Sequence, residues 1–246
     1  MNSERFFFPL AASSPGGAAK TVPAGLLFLA GLAAFGLPAQ AQVIATFDDL
    51  ASPPALDGAK RLIDANGGSA SYRGVLWDTQ VTVAGRDHQI SSSPGTPKFG
   101  IPHSGDFYVT NGNGSQGIQL TTAMVLTGAW FGRNEYYGYG GGADSVTIKA
   151  MDGGSVLASI TYALPLTTPG QPEPLTFFDT SAFASLSGIT GYLIDHHAPR
   201  AYADNWIADD FKFATVPEPG SIAMVSAGAL AGLVAWRRLR RGPTAG

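Results

Sequence analysis

Apolar and polar residues alternate in short runs along the middle of the chain, and glycine-rich or proline-rich turns separate the runs. A period of two is the signature of half-buried strands. The pattern opens with "VIATFDDL", continues through "VLWDTQVTVAG" and "DFYVTNG", and lengthens in "GIQLTTAMVLTGAWFG", where Ile118, Leu120, Met124 and Leu126 share one phase. In "DSVTIKAMDGGSVLASITYAL", Val146, Ile148 and Ala150 lead into the turn Asp152-Gly153-Gly154, and Val156, Ala158 and Ile160 lead out, which predicts a β-hairpin. "PLTFFDTSAF", "GITGYLIDHH" and "NWIADDFKF" bring the strand candidates to nine or ten. No long amphipathic stretch interrupts them, so the expected fold is all-β, an antiparallel β-sandwich of jelly-roll type. Closure into a barrel is the competing topology.

The two ends depart from this pattern. Arg5 and Lys20 precede an apolar run from Val22 to Leu37, and "PAQA" places small residues at Ala39 and Ala41, the arrangement of a secretory signal cleaved after Ala41. At the other end, Ser221 to Trp236 carries no charge and is followed by Arg237, Arg238, Arg240 and Arg241. As a helix this run is about 24 Å long, short of the ~30 Å hydrocarbon core. The arginines would hold its end on the cytoplasmic side, leaving the body outside. The expected organisation is a signal peptide over 1–41, a β-sandwich domain over 42–215, a sorting segment with a short transmembrane helix over 216–241 and a tail over 242–246.

Composition narrows the function. The chain has no cysteine, which excludes disulfides and thiol catalysis. Between Gln42 and Thr215 nine Lys and Arg face sixteen Asp and Glu, a net charge of −7. An acidic body without a basic stripe argues against a nucleic-acid partner.

The tail resembles the PEP-CTERM sorting signal of Gram-negative bacteria that make exopolysaccharide. The resemblance rests on Val216, Pro217, Glu218 and Pro219, the short span from Ile222 to Trp236, and the arginine cluster. It implies a transient inner-membrane tether cut by an exosortase, with release to the cell surface or extracellular matrix; a permanent anchor is the alternative. The body is similar to β-sandwich domains that precede such tails, through "FDDL", "YRGVLW", "SGDFYVTN" and "NWIADDF". Those domains resemble carbohydrate-binding jelly rolls.

Two residue groups are candidates for chemistry. Strict alternation puts Asp209 on one face with Ile207, Phe211 and Phe213, and Asp49 on one face with Val43, Ala45 and Phe47. Carboxylates on an apolar face require partners. If the first and last strands are neighbours, Asp48, Asp49, Asp209 and Asp210 either converge on an oxygen-ligated calcium, or accept backbone N–H bonds at strand ends or simply face water. The resemblance to carbohydrate-binding jelly rolls, which often carry a structural calcium, supports the first. In "WFGRNEYYGYGGG", Trp130, Arg133, Tyr136, Tyr137 and Tyr139 offer aromatic faces beside polar groups, the combination that binds sugars. His196 and His197, adjacent on a strand, point to opposite faces, and neither H-E-x-x-H nor G-x-S-x-G occurs. The expected protein is therefore a non-catalytic structural, adhesive or exopolysaccharide-binding module. A secreted polysaccharide hydrolase and a permanently anchored structural protein are the alternatives.

Overall fold

The computed structural model describes residues 41–89, 98–112, 116–134, 142–165, 174–199 and 205–215, together with 228, 231–233 and 236–237. The expected signal peptide over 1–41 and the tail motif over 216–219 therefore lie, apart from Ala41, outside the described residues. Gln40–Ala223 forms one compact unit, and Met1–Ala39 with Met224–Gly246 forms another. In the second unit Gly228, Ala231, Gly232, Leu233, Trp236 and Arg237 are helical. Among the described residues no helix is long and apolar enough to cross a membrane, so the expected transmembrane helix is not found there.

The first unit is all-β, with two antiparallel sheets. Its described strands are β1 (Gln42–Ala45), β2 (Ala59–Arg61), β3 (Ser71–Tyr72), β4 (Val75–Trp77), β5 (Thr82–Gly85), β6 (Phe107–Thr110), β7 (Ile118–Thr121), β8 (Val125–Arg133), β9 (Ser145–Asp152), β10 (Ser155–Ala163), β11 (Thr176–Asp179), β12 (Gly191–His197) and β13 (Trp206–Ala214). One helical turn, α1 (Leu62–Ala65), follows β2, and a 3-10 turn spans Ser181–Ser185. The seven-stranded sheet runs β11-β8-β13-β6-β5-β2, with β1 also on β13; the six-stranded sheet runs β10-β9-β12-β7-β4-β3.

Two runs that read as continuous in sequence are each divided between sheets. "GIQLTTAMVLTGAWFG" yields β7 in one sheet and β8 in the other, while "VLWDTQVTVAG" yields β4 and β5. The hairpin at Asp152 forms as its pattern predicts: Asp152 pairs with Ser155 around a Gly153-Gly154 turn in which Gly153 has φ +55°.

Alternation decides what lies between the sheets. Ile118 and Leu120, Val146 and Ile148, and Tyr192 and Ile194 of the six-stranded sheet meet Val83, Phe107, Phe131 and Phe213 of the other in one buried core. Aromatic rings pack through it edge to face: Trp77 lies 5.1 Å from Phe211 and 5.2 Å from Phe47, and Phe131 lies 5.4 Å from Trp206. Such pairs add about 0.5–1.5 kcal/mol each beyond their buried area, which suits a chain that has no disulfide.

A second, smaller cluster lies on the outer face of the seven-stranded sheet, where Ala84, Tyr108, Leu175 and Ile207 are buried with Phe99 and Trp130 packed on them. Phe99 belongs to the segment that descends from Lys98 to β6 across this face, so the sheet is buried locally on both sides.

Candidate functional site

β13 has two successive neighbours on one side. Ile207 and Ala208 pair with β6, while Phe211 to Ala214 pair with β1. Where one neighbour gives way to the other, the register against β8 shifts between Asp209 and Lys212, and Asp210 takes φ +47°. This bulge re-aims the strand. Trp206 and Ala208 before it and Phe211 and Phe213 after it all enter the main core, whereas Ile207 belongs to the outer cluster. The single apolar face expected for Ile207, Asp209, Phe211 and Phe213 is thus corrected by one inserted residue. β1 keeps its expected phase through Val43, Ala45 and Phe47, but Phe47 at φ +63° turns the chain, leaving Asp49 half-exposed.

The first and last strands are neighbours, and three of the four carboxylates near their ends, Asp48, Asp209 and Asp210, bond to one loop. Asp209 Oδ2 accepts the N–H groups of His103 at 2.9 Å and Ser104 at 3.0 Å, and its Oδ1 accepts that of Asp210 at 2.7 Å. Asp210 accepts Ser104 Oγ–H at 2.8 Å and holds His103 Nδ1 at 2.6 Å. Asp48 accepts the Asp106 N–H at 2.8 Å. Between these anchors Gly105 has φ +59°, and a Cβ there would stand 2.1 Å from the Asp48 carboxylate. Only glycine fits. Asp49 is engaged separately, by Tyr72 and Arg73. Tyr72 also accepts the Phe47 N–H at 3.0 Å, and burial, then the Asp49 carboxylate, raise its pKa.

Asp209 is fully buried. Desolvation pushes its pKa up to about 8, against the pull of its backbone N–H donors. Asp48, Asp209 and Asp210 thus bond to the loop at His103 to Asp106, and Asp49 to the Tyr72-Arg73 pair. Among the described residues no group of three or more His, Cys, Asp or Glu side chains is placed to hold a metal. Ser104 and His103 both bond to Asp210, an arrangement that fixes a loop.

The clamp presents His103 to the outer face of the seven-stranded sheet. Its imidazole stacks on Trp130, centroids 3.6 Å apart at 14°. Trp130 lies 5.5 Å from Phe177, its cross-strand partner on β11. The Phe177 ring lies over Gly128, where a Cβ would come within 2.3 Å of it, and Lys212 Nζ stands 5.0 Å above the ring. Phe177 remains 37% exposed. His103, Trp130, Phe177 and Lys212 thus form a contiguous aromatic and cationic surface on an otherwise acidic body.

Of the expected glycan residues, Trp130 belongs to this surface. Arg133 is buried three residues further along β8, on the other face, where its charge acts on Asp144. The structure does not bring those two together. Tyr136, Tyr137 and Tyr139 lie outside the described residues. His196 is buried and His197 exposed, the latter bonded to Asp144 at 2.8 Å. Sequence reasoning missed His103, Ser104, Phe177 and Lys212. Their partners are distant in the chain, and the Ser-Gly-Asp stretch before β6 is the local feature from which a turn there could have been read.

Comparison with known proteins adds the following. Of solved structures, the chain is similar to the K2 cleaved adhesin domain of Lys-gingipain, at 14% identity over 72% of this chain and 99% of that one, with a TM-score of 0.37. It is similar also to a DUF4465 family protein from Bacteroides caccae, at 14% identity over 72% and 93%, with a TM-score of 0.40. No curated protein matches the chain. Residues 215–241 match the family described as the PEP-CTERM protein-sorting motif, which implies export and processing by an exosortase. The chain therefore carries a PEP-CTERM sorting motif that begins at Thr215, one residue after β13 ends.

Proposed function

We propose that this protein is delivered by an exosortase to the cell envelope or extracellular matrix of a Gram-negative bacterium, where it serves as a non-catalytic exopolysaccharide-binding module. The observation that carries the reading is the sorting motif at 215–241 directly behind a β-sandwich body. The apolar stretch between Pro219 and the arginines acts as a transient inner-membrane tether until the exosortase cuts near Val216, Pro217, Glu218 and Pro219. The connections β4–β5, β6–β7, β7–β8, β8–β9, β10–β11, β11–β12 and β12–β13 each cross between the sheets, which supports the jelly-roll reading of the body.

The binding face is the outer side of the seven-stranded sheet. Phe177 offers the exposed part of its ring for apolar contact with a sugar, and Lys212 above that ring and His103 beyond Trp130 add donors suited to hydroxyl and carboxylate groups. Retention of the purified protein on exopolysaccharide of the producing strain, without reducing-sugar release, is the expected result. Phe177→Ala should weaken retention about tenfold, the effect of losing one aromatic contact worth about 1.4 kcal/mol. Reducing-sugar release would establish the hydrolase in place of this reading, and equal retention of Phe177→Ala would move the binding face elsewhere.

A further inference from the structure

The sheet edges differ in length and charge. β2 has three residues and includes Lys60 and Arg61, β3 has two, and β11 has four and ends in Asp179. β10 has nine residues, Ser155–Ala163, none of them charged. It pairs with β9 on one side, and among the described residues no strand pairs with its other side. Edge strands ordinarily carry charge, proline or a bulge that blocks further pairing. β10 has a bulge between Val156 and Ala158, which leaves Ala158–Ala163 as a regular open edge. Val156 is 53% and Leu157 37% exposed, and Ala158, Ile160 and Tyr162 are only partly covered where they pack on the core.

We propose that β10 pairs antiparallel with β10 of a second copy, joining two six-stranded sheets across a two-fold axis. Charge selects this occupant. In a body of net charge −7, β10 is the long edge on which two copies meet without opposing like charges, whereas β2 would set Lys60 and Arg61 against themselves. The antiparallel arrangement also sends the hairpin turns beside Asp152 to opposite ends, where a parallel one would place them together. Directly opposed residues in an antiparallel pair share a face. The two-fold therefore falls on a residue, and Ile160 and its neighbours of both copies close over the exposed margin of the core.

This is a small interface, of the kind that dissociates on the order of 10 μM. The experiment is sedimentation of the full chain in mild detergent across that concentration range, beside the double variant Ser159→Lys, Thr161→Lys. Both positions are exposed, and in every register centred on residues 159 to 161 at least one lysine faces a lysine. Like-charge contacts of this kind cost several kcal/mol, so association should fall at least about 100-fold while melting of the monomer is retained. A wild-type chain that stays monomeric overturns the proposal. So does a folded double variant that dimerises like the wild type, because its contact must then lie on another face.

Discussion

Replacing Asp209 by Asn removes one acceptor from the clamp that holds the loop at His103. The wild-type carboxyl group receives three backbone N–H groups, two on Oδ2 and one on Oδ1. An amide has one acceptor oxygen. Its better orientation keeps the His103 and Ser104 N–H bonds and sets the amide NH2 against the Asp210 N–H, donor facing donor. One buried N–H then goes unpaired, at about 1–3 kcal/mol. The pH dependence has a defined sign. Burial raises Asp209 to about 8, while an unfolded aspartate titrates near 3.9. The stability linked to its proton is present in full below about pH 4 and is lost as pH rises through about 8, with a slope of up to about 1.4 kcal/mol per pH unit. Asn cannot titrate, so the variant should lack this slope: it starts below the wild type near pH 4 by the cost of the unpaired N–H, gains on it as pH rises, and overtakes it before pH 8. Urea denaturation of both proteins at one-unit pH intervals measures both quantities. Parallel pH profiles, or a variant as stable as wild type at pH 4, would refute the reasoning.

Other expectations follow from the same geometry. Tyr108 is fully buried, its hydroxyl has no hydrogen-bond partner among the described residues, and burial raises its pKa. Tyr108→Phe should be neutral or stabilising by up to about 1 kcal/mol, and a lower melting temperature would reveal a partner for that hydroxyl. Tyr72→Phe should lose about 1–3 kcal/mol, because the Phe47 N–H and the Asp49 carboxylate both bond to the hydroxyl; unchanged stability in urea would contradict those bonds. Gly128→Ala places a methyl 2.3 Å from the Phe177 ring and 2.9 Å from the Phe178 carbonyl oxygen, so overpacking of about 1–3 kcal/mol is expected, together with weaker polysaccharide retention. Replacing Pro217, Glu218 and Pro219 by Ala should leave the exported chain uncut, with a mass extending through Gly246; normal processing would remove these residues from the recognition element.

The sorting motif was legible because it is local. Its proline turn, uncharged run and arginines act in chain order, and residues 215–241 match the motif as a unit. The strand content was legible for a similar reason: period-two alternation and the Asp152-Gly153-Gly154 turn report short-range geometry, and β9, β10, β12 and β13 lie where the pattern placed them. The short strands β2 and β3 were missed, since two or three residues carry too little alternation to stand out.

What needed the tertiary structure is everything that depends on which strand lies beside which. Alternation alone assigned Asp209 to the face of Phe211, but the exchange of β6 for β1 along β13 forces a bulge there and reverses the phase. His103 meets Asp210 across 107 residues of chain, and Trp130, Phe177 and Lys212 become one surface only because β11, β8 and β13 are adjacent. Periodicity specifies how a strand presents its side chains, whereas long-range packing and backbone pairing choose its neighbours. The sorting of this protein is therefore written along the chain, and its candidate binding face exists only once the sheets have formed.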